Sequence, residues 1–318
     1  MPALCDIQIR DPYVVRDGGD YYLFGSTDPD IWKADGVGFD AYRLASPGDL
    51  AGLWEGPVEI FRPAANFWSQ KNFWAPEVHR WQGDYYLFAT FLPRDGRRGT
   101  AILKSTGGIL GPYLPWSDGP VTPTEWETLD GTLYVDDAGD PWMVFCHEWQ
   151  QVGDGTVEAM RLSHDLRAAA GKPTTLFSAS QASWTAPLAG RAPGSYVTDG
   201  PYLYTDSAGV LTCLWSSFGP QGNYLIGEAK SDGGILGTWT QAPQPLFAAD
   251  GGHGMIFTDG HKRYLAVHSP NATPLERAMF AEVREVDAVA GTGAAGIGSD
   301  AHAGSGWRWL ETTGQVIR

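Results

Sequence analysis

The chain has 318 residues, 43% of them hydrophobic and 13% aromatic, with 14 Trp, so it carries enough apolar surface for a sizeable core and is not a disordered polymer. Its formal net charge of -15 excludes a phosphate-backbone partner, which needs clustered Lys and Arg. No run approaches the ~20 apolar residues of a membrane span, and the start has no charged-then-apolar leader, so no membrane partner and, by default, a cytoplasmic location are expected.

In chain order, one unit recurs five times: a polar or Pro-containing start, an alternating strand, a Gly turn and a second apolar strand. The first runs from Asp11-Pro12-Tyr13-Val14-Val15 through Asp17-Gly18-Gly19-Asp20 to Tyr21-Tyr22-Leu23-Phe24-Gly25-Ser26. The second runs from Ala75-Pro76-Glu77-Val78-His79 through Gly83-Asp84 to Tyr85-Tyr86-Leu87-Phe88-Ala89-Thr90. The third opens on Asp130-Gly131-Thr132-Leu133-Tyr134-Val135 and returns through Trp142 to Cys146, ending in His147-Glu148-Trp149. The fourth is Asp199-Gly200-Pro201-Tyr202-Leu203-Tyr204 followed by Leu211 to Ser216, and the fifth is His253-Gly254-Met255-Ile256-Phe257 followed by Tyr264 to His268.

Period-2 alternation around Asp-Gly turns makes each unit a β-hairpin. The residues between starts suffice for two further strands per unit. A second echo, Lys104 to Tyr113 against Lys230 to Trp239, reads as the loop into an outermost strand. The expected fold is therefore all-β: one five-bladed β-propeller over residues 1–318, with four-stranded antiparallel blades around a central channel and starts near 11, 75, 130, 199 and 253. The Ala- and Gly-rich segment from Ala288 to Gly306 is expected as a loose loop before a closing strand at Trp307-Arg308-Trp309-Leu310. Helix should be scarce. Cys5, Cys146 and Cys213 are an odd, scattered set, expected as buried free thiols rather than a disulfide framework.

In a propeller the innermost strands line the channel, so their opening residues converge on one mouth. Here those are Asp11, Glu77, Asp130, Asp199 and His253, and the hairpin returns add Glu148 and Trp149. One Asp at a strand start is explained by turn capping. Five starts that converge are harder to explain so, because crowded carboxylates raise one another's pKa, a cost that functional sites tolerate. A pair of carboxyl groups, one ionised and one protonated, is what hydrolysis of a glycosidic bond requires. Trp68, Phe73, Trp74 and Trp149 could stack on sugar faces or pack the core.

These motifs resemble those of the family 43 glycoside hydrolases, five-bladed propellers that include arabinofuranosidases, xylosidases, arabinanases and galactofuranosidases. Arg10-Asp11-Pro12-Tyr13-Val14 is similar to the first-blade motif, which implies that Asp11 is the general base. Trp74-Ala75-Pro76-Glu77-Val78 resembles the second-blade motif, and Leu129-Asp130-Gly131 the third, which implies that Asp130 tunes and orients the proton donor. The resemblance makes His253 a channel residue facing a calcium or sodium ion, often through water, with no cofactor required for the chemistry. The fourth blade departs from the pattern, carrying Asp199-Gly200-Pro201 where the family has Glu-Gly-Pro. Either Asp199 is the donor, or the donor is Glu148, the favoured assignment on reach, with Asp199 on a sugar hydroxyl.

The implied activity is inverting hydrolysis of a glycosidic bond in an oligo- or polysaccharide, foremost as an α-L-arabinofuranosidase, with β-xylosidase and endo-arabinanase as alternatives. A carbohydrate-binding propeller without catalysis is the rival from another class. Trp74, Glu77, Trp149, His268 and Arg277 are the candidate sugar contacts, Arg277 weighed against a surface salt bridge. The chain is expected to act as a monomer or simple homo-oligomer.

Overall fold

A computed structural model describes residues 1–45, 49–287 and 308–318, and in it five four-stranded antiparallel sheets follow one another along the chain. The first blade is β1 (Arg10–Asp17), β2 (Asp20–Ser26), β3 (Phe39–Leu44) and β4 (Glu55–Phe61). The second is β5 (Ser69–Trp81), β6 (Asp84–Pro93), β7 (Gly99–Gly108) and β8 (Gly111–Pro115), and the third is β9 (Thr128–Val135), β10 (Pro141–His147), β11 (Thr156–Arg161) and β12 (Thr174–Ser178). The fourth is β13 (Asp199–Thr205), β14 (Leu211–Phe218), β15 (Tyr224–Ser231) and β16 (Trp239–Gln241). The fifth is β17 (Gly252–Thr258), β18 (Arg263–Ser269), β19 (Arg277–Asp287) and β20 (Arg308–Ile317). All five hairpins read from the sequence are the two inner strands of a blade, and the α-helix among the described residues is the single turn α1, Trp149–Val152. The segment expected as a loose loop, 288–306, lies outside the described residues, and the closing strand begins among them at Arg308.

A sheet wedged between two others must be apolar on both faces, which is why the second strands read as near-continuous hydrophobic runs. β10 is buried along its whole length. Apolar cores fill the boundaries between blades. Phe24, Phe39, Phe73 and Phe91 join the first to the second, Phe88, Met143 and Phe145 the second to the third, and Cys146, Trp184 and Trp215 the third to the fourth. Phe73 therefore belongs to the core, with Trp68 packed against it. The last boundary is closed by the N-terminal segment, where Leu4, Ile7 and Ile9 pack with Phe257 and Phe280, and Gln8 bridges antiparallel to Arg277. Cys5, on the 3-10 turn of this segment, is exposed, unlike the buried Cys146 and Cys213, because its neighbours Leu4 and Ile7 take the inward positions.

Each innermost strand carries an irregularity at the same place. Asp11, Ala75, Asp130, Gly200 and His253 all have φ between 47° and 56°, and each lies within a register shift against the second strand. Such bulges bend a strand and re-aim its side chains. The bulge fixes the true alignment of the five starts. Asp11, Asp130 and His253 occupy the bulge itself, whereas Asp199 precedes its bulge by one residue and Glu77 follows its own by two, so these two point elsewhere. At Gly200, whose φ of +52° is one that the other bulges give to residues with side chains, it is the His253 ring, 2.7 Å from where a Cβ would stand, that excludes one.

The outer part of the fourth blade is tied to the last strand by buried charge. Lys230 Nζ donates to Asp206 Oδ2 at 2.6 Å and Thr212 Oγ1 at 2.9 Å and lies over the Trp309 ring. Glu228 accepts from Tyr204 Oη and from the Leu310 amide on β20. Removing one partner of a buried pair strands the other. Lys230→Met is expected to lower unfolding free energy by about 3 kcal/mol, read by urea denaturation. A loss below about 1 kcal/mol would mean that Asp206 is not held by this cation.

Candidate active site

The residues on and just before the bulges surround a cavity of about 320 Å³ at one mouth of the channel, at the small end for ligand sites. Arg10, Trp74, Leu129 and Asp199, each one residue before a bulge, line it together with Asp11, Asp130 and His253 on the bulges. Glu148 and Trp149, at the end of the third hairpin, complete the wall. Glu148 precedes α1, its amide held by the Glu127 carbonyl at 2.8 Å.

Asp11 and Asp130 share a backbone conformation but not an environment. Asp11 accepts from Ser26 Oγ at 2.7 Å, and His253 Nδ1 lies 3.3 Å and Arg10 Nε 3.7 Å from its Oδ1. Burial alone would raise this carboxyl, but His253, Arg10 and the Ser26 hydroxyl hold it below its ordinary value. Asp130 accepts the Gly200 amide at 3.0 Å, and His253 Nδ1 is 3.5 Å away. Burial and then the Asp11 charge push its carboxyl well above the usual range. The same burial leaves one aspartate favoured as the carboxylate and the other shifted toward the acid form.

Asp199 and Glu148 are likewise driven toward the acid form. Burial, then the charges of Asp130 and Glu148, push Asp199 up to about 8, against the hydrogen bond from Tyr224 Oη at 2.9 Å. Burial also raises Glu148, but the Arg98 guanidinium at 3.4 Å opposes it. Glu148 has a cation beside it. Asp199 has a phenol.

One wall is a stack of alternating charge and ring. Arg10 lies over Trp32 at 5.3 Å, Trp32 meets Trp74 edge-on at 5.2 Å, and Arg98 lies over Trp74 at 5.1 Å. Trp74 Nε1 donates to the Ile31 carbonyl at 2.7 Å and Trp32 Nε1 to Thr273 Oγ1 at 3.0 Å, so both indoles are fixed by their polar edge. Trp32 remains 51% exposed, an aromatic face at the rim that suits the apolar side of a sugar ring. Trp149 lines the cavity opposite, with Arg191 over its ring. Trp32, Arg98 and Tyr224 were not singled out from the sequence. Trp32 and Arg98 sit in loops without periodicity, and Tyr224 reads as a core residue of β15.

Three candidate sugar contacts lie outside the cavity lining. Glu77 sits deeper in the channel, 3.0 Å from His79 Nε2. His268 is fully buried behind Asp11, where its Nδ1 accepts the Asp11 amide at 3.3 Å. Burial, then the Arg10 charge, pushes this imidazole down to about 3, so it is neutral. Arg277 donates to the carbonyls of Cys5, Pro274 and Glu276 at the ring closure, which turns it from the mouth and replaces the surface salt bridge with backbone acceptors. His253, the candidate metal residue, directs Nδ1 at Asp11 and Asp130. Among the described residues no three His, Cys, Asp or Glu side chains converge as a metal shell, so the side chains here do not fit an ion held directly by the protein.

The sequence profile of glycosyl hydrolases family 43 matches residues 4–282. The crystal structure of an endo-arabinase from Bacteroides thetaiotaomicron is 37% identical, superposes with a TM-score of 0.78, and shares 87% of this chain with 95% of that one. An α-L-arabinofuranosidase from Humicola insolens is 23% identical over 77% of this chain and 49% of its own length, and an extracellular exo-α-(1→5)-L-arabinofuranosidase from Cellvibrio japonicus 27% identical over 50% and 45%. The chain thus spans about half the length of these two relatives.

The raised Asp199 carboxyl has a thermodynamic signature. Between its ordinary value and about 8 the folded state binds a proton that the unfolded state has lost, so its contribution to stability is full at low pH and falls as pH rises through that window. Asp199→Asn, freed of this penalty, is expected to gain melting temperature over the parent at pH ~8 and not at pH ~4. Equal differences at both pH values, measured by calorimetry, would refute the shift.

Proposed function

The chain belongs to glycosyl hydrolases family 43, and from that membership we propose that it hydrolyses a glycosidic bond with inversion, acting on α-L-arabinofuranosyl linkages of an oligo- or polysaccharide. The observation that carries the reading is the contrast between two carboxyl groups of one cavity: Asp11 beside the Ser26 hydroxyl, His253 and Arg10, which favour its charged form, and Asp199 buried against the Tyr224 phenol and pushed up to about 8. Water deprotonated by Asp11 attacks the anomeric carbon, and Asp199 gives its proton to the departing oxygen. Asp130 stands between them, hydrogen-bonded to the amide that follows Asp199. The two reacting carboxyl groups of an inverting enzyme lie ~6.5 to 9.5 Å apart to hold the water.

Arabinofuranosyl substrates are favoured over xylosides by the names of the relatives, two arabinofuranosidases and an endo-arabinase. Asp199 is preferred as donor to Glu148, reversing the preference drawn from side-chain reach, because Arg98 pairs with Glu148 and favours its charged form, whereas among the described residues no salt bridge holds Asp199. Glu148 is the second reading, supported by its own raised carboxyl. It then helps to hold the sugar if Asp199 is the acid.

Leaving-group chemistry separates the two. Asp199→Asn is expected to lose on the order of 10³-fold in kcat on arabino-oligosaccharides and to recover most of it on a dinitrophenyl arabinofuranoside, whose leaving group needs no proton. Glu148→Gln should lose activity on both alike. The opposite pattern assigns the donor to Glu148. Asp11→Ala is expected to lose on the order of 10³-fold on every substrate, and proton NMR of the first product should show the inverted anomer. Sugar binding without turnover by the parent protein would make it a binding propeller instead.

A further inference from the structure

The five bulges pose one problem five times, since each amide at φ near 50° needs an acceptor across a blade boundary. Four find it on the residue of the preceding blade's second strand that pairs with the residue before that blade's own bulge. Ser26 Oγ takes the Ala75 amide, Thr90 Oγ1 the Asp130 amide and Ser216 Oγ the His253 amide, each at 2.8 Å, while His268 Nδ1 takes the Asp11 amide at 3.3 Å. The equivalent residue in the third blade is Cys146, opposite Leu129 as Ser26 is opposite Arg10 and Ser216 opposite Asp199. There the Gly200 amide goes instead to Asp130 Oδ2 at 3.0 Å.

We propose that Cys146 is a positioning residue: a thiol where the other blades carry a hydroxyl or imidazole leaves the Gly200 amide to Asp130 and so binds that carboxyl to the strand bearing Asp199. The first blade shows what a hydroxyl does at this place. Ser26 accepts the Ala75 amide at 2.8 Å and donates to Asp11 Oδ2 at 2.7 Å, a relay in which each bond polarises the next and the carboxylate receives a short, strong donor. A thiol is a weak donor and a weak acceptor. Cys146 therefore denies Asp130 the relay that Asp11 enjoys, and two aspartates of matching backbone conformation differ in the donors that reach them.

The groups that face Asp130 are Asp11 on β1, Glu77 on β5, Cys146 on β10, Glu148 before α1, Asp199 on β13, Tyr224 on β15 and His253 on β17. Apart from Cys146 itself, none of them changes in Cys146→Ser. The new hydroxyl takes the Gly200 amide and donates to Asp130 in its place, as Ser26 does for Asp11.

The test is a titration of ¹³C-labelled aspartate carboxyls by NMR in the parent, Cys146→Ser and Cys146→Ala. It needs no turnover, so it stands or fails independently of the reaction assigned above, on which only the kinetic consequence rests. In Cys146→Ser the Asp130 transition, assigned by its loss in Asp130→Asn, is expected to fall by about one pH unit, while Cys146→Ala, with no hydroxyl, titrates as the parent does. As its kinetic counterpart, Cys146→Ser should lower kcat on arabino-oligosaccharides with KM unchanged. A folded Cys146→Ser protein that titrates like the parent would overturn the proposal, as would a Cys146→Ala shift as large as that of the serine variant, which would reduce Cys146 to packing.

Discussion

A strand that turns through positive φ frees a backbone amide from its ladder, and a buried amide must find another acceptor. The fold answers this constraint in four of the five blades with a side chain late in the second strand that reaches the next blade's bulge, and in the third with Asp130 itself. The same contacts that satisfy the bulges join the blades, and the bulges aim the residues before them into the cavity. Scaffold and site are thus one hydrogen-bond ring. A change at Ser26 or Thr90 touches both, although neither lines the cavity.

Within that ring, chemistry is differentiated by neighbours rather than by backbone. Asp11 collects a hydroxyl, an imidazole and a guanidinium. Asp130, at the matching place, has an amide and a shared imidazole, with other acids around it. Four carboxyl groups in one small cavity cannot all ionise cheaply, and the positions of Arg10 and Arg98 decide which of them do. Arg10 supports the ionised end, beside Asp11, and Arg98 lies beside Glu148. The two indoles between these guanidiniums keep both cations at fixed places while offering a face to substrate.

Much of this was legible in the sequence because turn chemistry repeats. The hairpins of Asp11, Ala75, Asp130, Asp199 and His253 announce five blades, and near-continuous apolar runs tell which strands are doubly buried. What the sequence does not carry is the phase of each bulge. Aligning Glu77 and Asp199 with Asp11 by eye is off by two residues and by one, since nothing in the residue types marks where φ turns positive. His268 and Arg277 were plausible contacts by chain position, yet one is buried behind the base and the other is spent on carbonyls at the ring closure. Trp32 and Arg98 were invisible for the converse reason: loops bring them to the mouth, and loops have no period.

The ring is closed without exchanging a strand, since every blade is a continuous stretch of chain and the N-terminal segment only packs and bridges across the first and fifth. Residues Arg10 and Asp11 follow that segment directly, while the groups that orient them, His253, His268 and Glu276, belong to the fifth blade or the loop within it. The environment of Asp11 is therefore shared between the two blades that close the ring, Ser26 and Arg10 coming from the first and His253 and His268 from the fifth. With the fifth blade undocked, Asp11 would keep its hydroxyl and guanidinium neighbours but lose both imidazoles. The charge balance of the cavity is a property of the closed ring, and an opened ring would carry the residues of the site without their arrangement.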